Sequence, residues 1–260
     1  MGRQALVSRQ FTSAVERLRW AEQDILELKE WVRTFFGSDT HERVSEPDPN
    51  SSLYMIDKIR FKARLPREIT KLTVSVIENL RASLDHSACA VVPSQFKKCT
   101  YFPFGDTRAE FRRHLKSKAK HVPDEIKSVF EGFNPYKRGN PPLWALNKLC
   151  NTHKHRTIIQ PGVHVKDLMF VGYPPGTALN ATLRHFLPRW NRRKNEIVIS
   201  TMAGDTTSHH DVDLSLGIAF GKVPVFSGRP ALAILRNLAR MVERILWTTE
   251  TEARRIGVIK

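Results

Sequence analysis

The sequence predicts an α+β fold, a helical core combined with an antiparallel β-sheet formed mainly by residues 157–220. Three observations predict it. Apolar residues recur at helical spacing over most of the first 155 residues and again near the end, short β-like runs fill the interval between, and no segment is repeated. With 41% apolar residues and 14 Phe in 260 residues, the chain has the material for a substantial core. That separates it from disordered basic proteins.

Residues 11–36 read as a helix, with Val15, Leu18, Ile25, Leu28 and Val32 on one face and charges of both signs on the other, ending at Gly37. Residues 38–51 carry Pro47 and Pro49 and no apolar period, which predicts a loop or linker. Over residues 53–63, Met55, Asp57, Ile59 and Phe61 alternate with Ile56, Lys58, Arg60 and Lys62, a strand pattern with a basic outer face. Pro66 opens a long helix that runs to about Val92, where Pro93 stops it, with Leu72, Val76, Leu80, Leu84 and Val91 at helical spacing.

Thr100 to Phe104 is short and aromatic, a packed strand or loop. Asp106 or Thr107 caps a helix to about Lys118, Pro123 and Asp124 start another through Phe130, and Pro141-Pro142 launch a third from about Leu143 to His155. The runs Leu168 to Val171, Ala181 to Phe186, Ile197 to Ser200 and Val212 to Phe220 read as strands within a β-rich insertion or layer at 157–227. Residues 228–255 close the chain as a helix of the helical core, carrying Leu232, Leu235, Leu238, Val242 and Leu246. Residues 1–260 are expected to form a single domain.

The formal net charge is +16, so an acidic partner is the first to consider. The excess is local: residues 51–160 hold 21 basic and 9 acidic residues, while residues 1–50 hold 7 and 9. Two runs dominate, Arg112 to His121 and Pro188 to Lys194, the second with Trp190 beside Arg192 and Arg193. Cations neutralise phosphates and an indole stacks on an unpaired base, so both runs suit single-stranded nucleic acid. A solvated helix face and a charged turn explain them equally well.

No stretch reaches the roughly 18 apolar residues of a membrane helix, and the first residues lack the apolar core of a secretory signal. A cytoplasmic protein with no membrane partner is expected. Cys89, Cys99 and Cys150 have no C-x-x-C spacing and read as small buried hydrophobes. No P-loop, dinucleotide or G-x-S-x-G motif is present, and neither His153/His155 nor the ligand-rich stretch 205–213 has a recognised metal spacing. No cofactor and no metal are expected.

The long helix contains Glu78-Asn79-Leu80-Arg81-Ala82-Ser83-Leu84-Asp85-His86. Asn79, Ser83, His86 and Ala90 share one face as a narrow polar and small-residue stripe, which lets something approach closely. Further on, Asn147, Asn151, Lys154 and His155 line one side of the helix that ends in Arg156, with Leu143, Leu146, Leu149 and Cys150 on the buried side. Each cluster also has a purely structural explanation. Arg81 and Asp85 are spaced for an intrahelical ion pair with His86 bonding a neighbouring helix, and Lys154, His155 and Arg156 complement the negative end of a helix dipole.

Arg81 followed by His86 on a helix resembles the HEPN superfamily, whose signature is Arg, four to six residues, then His. That resemblance implies a helical bundle, a homodimer and metal-independent RNA cleavage by His and Arg at the dimer interface. Leu-Arg-Ala-Ser-Leu-Asp-His, together with the later Lys-His-Arg helix end, also resembles a largely uncharacterised bacterial family over about residues 55–160, and brings no reaction with it.

If the two helices pack together, Asn79, Arg81, His86, Asn151, Lys154 and His155 converge on one phosphate-sized site. There His86 and His155 would serve as acid and base, Arg81 and Lys154 would stabilise phosphate charge, and Asn79, Asn151 and Arg156 would bind or orient. Attack by a ribose 2′-OH makes RNA the expected partner rather than DNA. The alternative is a non-catalytic nucleic-acid-binding or interaction module.

Overall fold

In a computed structural model, which describes residues 7–155, 161–171, 183–191, 193–203, 211–220, 225–226 and 229–260, the helical periodicity of the sequence becomes a set of packed helices. Helix α1 (Thr12–Phe35) lies along α2 (Arg67–Ala90), and α6 (Ala231–Arg255) packs against both. Between them in sequence come the short helices α3 (Arg108–Ser117) and α4 (Asp124–Gly132) and then α5 (Pro141–His155). α2 starts after Pro66 and ends at Ala90, short of Pro93, the arrangement expected of a residue that cannot donate within a helix.

The apolar stripes meet in a single buried cluster. Leu28 of α1, Val76, Leu80 and Leu84 of α2, Leu143 of α5 and Leu235 and Val242 of α6 belong to it. α6 runs to Arg255, the end expected for it, and stops at Gly257, whose φ of 74° is the left-handed conformation that a side chain disfavours. Val258 N–H then donates to Ala253 O at 3.0 Å, closing the helix end. At the other end of the chain the Ser8 N–H donates to the buried Glu250 Oε1 at 2.7 Å, and Arg254 binds the same oxygen at 3.0 Å.

The sheet is antiparallel, with strand order β1-β2-β5-β4, built from β1 (His41–Asp48), β2 (Ser51–Phe61), β5 (Glu196–Ala203) and β4 (Leu183–Asn191). β2 meets the strand expected over residues 53–63, whereas β1 comes from residues expected as a loop, and residues 157–220 supply β4 and β5. The remaining strands, β3 (Pro161–Val171) and β6 (Asp211–Phe220), pair with each other as a separate antiparallel ribbon. Ile59, Phe61, Ile197 and Ile199 join the core, and Phe61 stacks on Phe35 of α1 with ring centroids 5.8 Å apart.

Residues 38–51, expected as a loop or linker, form a 3₁₀ turn (Ser38–Thr40) and then β1, which pairs with β2 from His41↔Phe61 to Asp48↔Ser51. β1 is an edge strand, the place where proline is tolerated, and the register slips directly after Pro47. Its missing apolar alternation has a physical cause: ionic contacts join it to β2. Arg43 binds Asp57 at 2.7 Å, Ser45 Oγ donates to Asp57 at 2.6 Å, and Glu46 accepts from Lys58 and, at 3.4 Å, from Arg60.

The basic outer face expected on this strand is accordingly not a free one. Lys58 is only 7% exposed and lies between Glu46 and Glu196, and Arg60 Nε donates to Glu196 at 2.8 Å. The pairing with β5 slips between Asp57 and Lys58, and Asp57, Lys58 and Ile59 are all buried in succession. Among the described residues no helix is long and apolar enough to cross a membrane.

Glu196 is the buried acid that closes this network. Glu196→Gln should destabilise the fold by about 2 kcal/mol, because a buried cation loses one of its two counter-charges. Urea denaturation checks this, with a lower midpoint and an unchanged slope.

Candidate functional site

The polar stripe on α2 is occupied by α1. His86 Nδ1 and Ser13 Oγ are hydrogen-bonded at 2.7 Å, and Ser83 Oγ donates to Ala14 O at 2.7 Å. Asn79 Oδ1 accepts from Arg17 at 3.0 Å while its Nδ2 donates to Ser75 Oγ at 3.3 Å, and Ser75 donates to Asp24 at 2.6 Å. The pairings Ser13 with His86, Arg17 with Asn79 and Asp24 with Ser75 run in opposite senses along the two helices, so α1 and α2 are antiparallel. The close approach that small residues permit is thus made by the chain's own helix.

Arg81 points elsewhere. Its guanidinium pairs with Asp85, its Nε donates to Asn147 Oδ1 of α5 at 3.0 Å, and its Cζ lies over the Phe104 ring, 4.6 Å from the ring centre. Asp85 Oδ1 in turn accepts from the Phe102 N–H at 2.9 Å. Arg81 and His86 are five residues apart, about 140° around a helix. One therefore joins α2 to α5 and to the 102–104 segment while the other joins α2 to α1.

The remaining site residues divide similarly. Asn79 is buried beside α1, and Asn151 is exposed near the end of α5. Arg156 and Arg192 lie outside the described residues, as do the side chains of Lys154 and His155 and the stretch 204–210. Trp190 is half-buried, edge-on to Phe61 at 5.4 Å, where a free stacking surface had been expected, and Arg193 is exposed. The described residues bring together Arg81 with Asn147, and Asn79 and His86 with α1, but not these two groups with each other. Among the described residues no three His, Cys, Asp or Glu side chains come together as a metal site.

The other basic run has a different surrounding. α3 is held by the Thr107 hydroxyl, which accepts from the Glu110 N–H at 3.1 Å, and by Glu110, which accepts from the Asp106 N–H at 2.8 Å. Phe111 and Leu115 bury its inner face. Arg108, Arg112, Arg113 and Lys116 line a shallow concavity of about 810 Å³ on its outer face. Arg112 contacts Glu131 at 3.2 Å and Arg113 approaches Glu110 at 3.9 Å, but Arg108 and Lys116 have no ion pair among the described residues.

A second group of cations abuts the end of α3. Residues Ser94–Cys99 form a 3₁₀ turn carrying Lys97 and Lys98. The Tyr101 N–H donates to Lys118 O at 3.1 Å, and the ring of Phe96 stacks on His121 at 3.7 Å, which fixes the turn against Lys118 and Lys120. Lys97, Lys98, Lys118 and Lys120 are exposed and have no ion pair among the described residues. Between 97 and 120 the sequence has eight Lys and Arg against two acids.

Tyr101 is 47% exposed. Sequence reasoning placed it in a packed aromatic segment, and Phe102 and Phe104 on either side of Pro103 are indeed buried. The available signal was the spacing Lys97-Lys98-Cys99-Thr100-Tyr101, two cations and an aromatic between Pro93 and Pro103. Cys99, expected to be buried, is exposed on the same turn, whereas Cys150 is buried. Cys89 is half-buried, and burial, with Asp85 nearby, pushes its thiol up.

Asp106 orients the start of α3. It accepts from Lys148 Nζ at 2.9 Å and from Trp144 Nε1 at 2.8 Å, and these two hydrogen bonds, Lys148 first, hold its carboxyl below the ordinary carboxylate range. Compared with protein-family models, curated proteins and solved structures, the chain matches none of them.

Two measurements follow from this geometry. Arg81→Ala should cost about 2 kcal/mol, since Asp85 and Asn147 lose a partner in a poorly hydrated place, and a thermal melt reads this as a lower Tm. Because the folded-state carboxyl of Asp106 is the stronger acid, its stabilisation is present above the unfolded pKa and is lost as pH falls towards the folded one. Wild type should therefore lose more stability than Asp106→Asn on acidification from pH 5 to pH 2, read as the difference between two denaturation series.

Proposed function

We propose that the chain is a nucleic-acid-binding protein that holds single-stranded RNA, chiefly by its phosphates, on the face formed by residues 97–120. One observation carries this reading. Lys97, Lys98, Arg108, Lys116, Lys118 and Lys120 stand exposed without an ion pair among the described residues, whereas Lys58, Arg60 and Arg43 are each matched to a carboxylate. An uncompensated cation attracts phosphate, and a neutralised one does so only after breaking its pair. Cations that contact phosphate read no sequence, so the reading is one of general rather than sequence-specific binding. Single-stranded RNA suits the face because its bases are unpaired and open to stacking.

Arg81 and His86 take structural parts in this reading. Cleavage would need Arg81 to leave Asp85 and Asn147 for a scissile phosphate. It would also need His86 to act next to a residue that reaches a different helix. The chemistry of a ribonuclease asks for the two to converge.

The test is fluorescence anisotropy with labelled single-stranded RNA and DNA at 50 and 200 mM salt, with the products run on a denaturing gel. Binding should weaken steeply with salt, by a log–log slope of about −0.7 per phosphate contacted. The triple substitution Lys97→Glu, Lys98→Glu and Lys120→Glu should abolish it at unchanged Tm, and the RNA should remain intact. RNA cut by wild type but not by His86→Ala would replace this reading with the ribonuclease one, and absence of binding already at 50 mM salt would end it.

A further inference from the structure

Resting on the RNA-binding reading, we propose that Tyr101 is a preformed stacking platform for one unpaired base, and that the strand leading to it runs along the axis of α3. Two hydrogen bonds hold the tyrosine from both ends. Its N–H is tied to Lys118 O at 3.1 Å, and its hydroxyl donates to Lys98 O at 3.3 Å. Phe102 and Phe104 on either side of Pro103 are sunk in the core, yet the Tyr101 side chain stays on the surface, 47% exposed. A ring pinned at its backbone and at its hydroxyl loses little rotamer freedom when a base settles on it, which is how preorganisation gains affinity.

The cations around it set the direction of the strand. Arg108, Arg112 and Lys116 stand at i, i+4 and i+8 along one side of α3, about 6 Å apart along the helix axis. That interval is of the same order as the phosphate repeat of an extended single strand. The same residues line the concavity on α3. The row ends at Lys116, two residues before Lys118 at the end of α3, whose carbonyl holds Tyr101, and Lys97 and Lys98 lie on the turn just before the tyrosine. On the proposed path the strand places phosphates on Arg108 and Lys116, and on Arg112 once it leaves Glu131, and its next nucleotide passes the end of α3 to the tyrosine ring. Stacking on tyrosine tolerates any base, as phosphate contacts do, and the two together give tight binding without sequence reading.

The platform and the row of cations can be separated by measuring two ligands, a labelled single-stranded RNA and inorganic polyphosphate, which has charge but no bases. Tyr101→Ala should weaken RNA binding by roughly tenfold, leave its salt slope unchanged and leave polyphosphate binding as in wild type. Tyr101→Trp should restore RNA affinity. The double substitution Arg108→Ala with Lys116→Ala should weaken both ligands and reduce the RNA salt slope by about 1.4, two contacts at 0.7 each. If wild type binds RNA and Tyr101→Ala binds it equally well, or loses polyphosphate to the same degree, the platform is wrong while the RNA-binding reading stands. If wild type binds no RNA, both are wrong.

Discussion

Everything else in this molecule is arranged around the antiparallel contact between α1 and α2. The interface is apolar along one line and polar along the next, and the polar line is satisfied residue by residue, by Ser13, Arg17 and Asp24 on one side and His86, Asn79 and Ser75 on the other. A buried amide or hydroxyl without a partner would cost on the order of 1–3 kcal/mol. The two helices therefore lock in one register, which a purely apolar seam would leave looser. α6 covers the pair, and the sheet attaches through Phe61 stacked on Phe35 at the end of α1.

That contact explains why a motif that draws the eye in the sequence has a structural part in the fold. Arg and His five residues apart on a helix suggest joint work on a phosphate, but the helical repeat turns them towards different neighbours. α1 takes one and α5 takes the other. The stripe of Asn79, Ser83, His86 and Ala90 was legible as a surface for close approach, and only the identity of what approaches was hidden. It belongs to a segment some 60 residues away in the chain, and no local pattern encodes that distance.

The helices were legible because each buries one apolar face at a 3.6-residue repeat, and their ends because proline and Thr107 act locally. β1 was not, since its partners are charges on β2 and its alternation is ionic rather than apolar. The division of the strands into a four-stranded sheet and a separate ribbon also depends on pairings across more than a hundred residues. The location of the charge was half legible. Counting put the excess in residues 51–160, but Lys58 and Lys97 look alike in a count, and only the fold gives one a carboxylate on each side and leaves the other exposed.

The bond between the Ser8 N–H and Glu250 ties the approach to the first helix to the last. During synthesis, at about 5–20 residues per second, α1 and α2 are complete long before α6 leaves the ribosome, and their shared apolar surface stays open for about ten seconds or more. In that interval the nascent chain exposes what the finished protein buries. Among the described residues only α6 covers that face of the α1–α2 pair, so the core closes when this helix arrives.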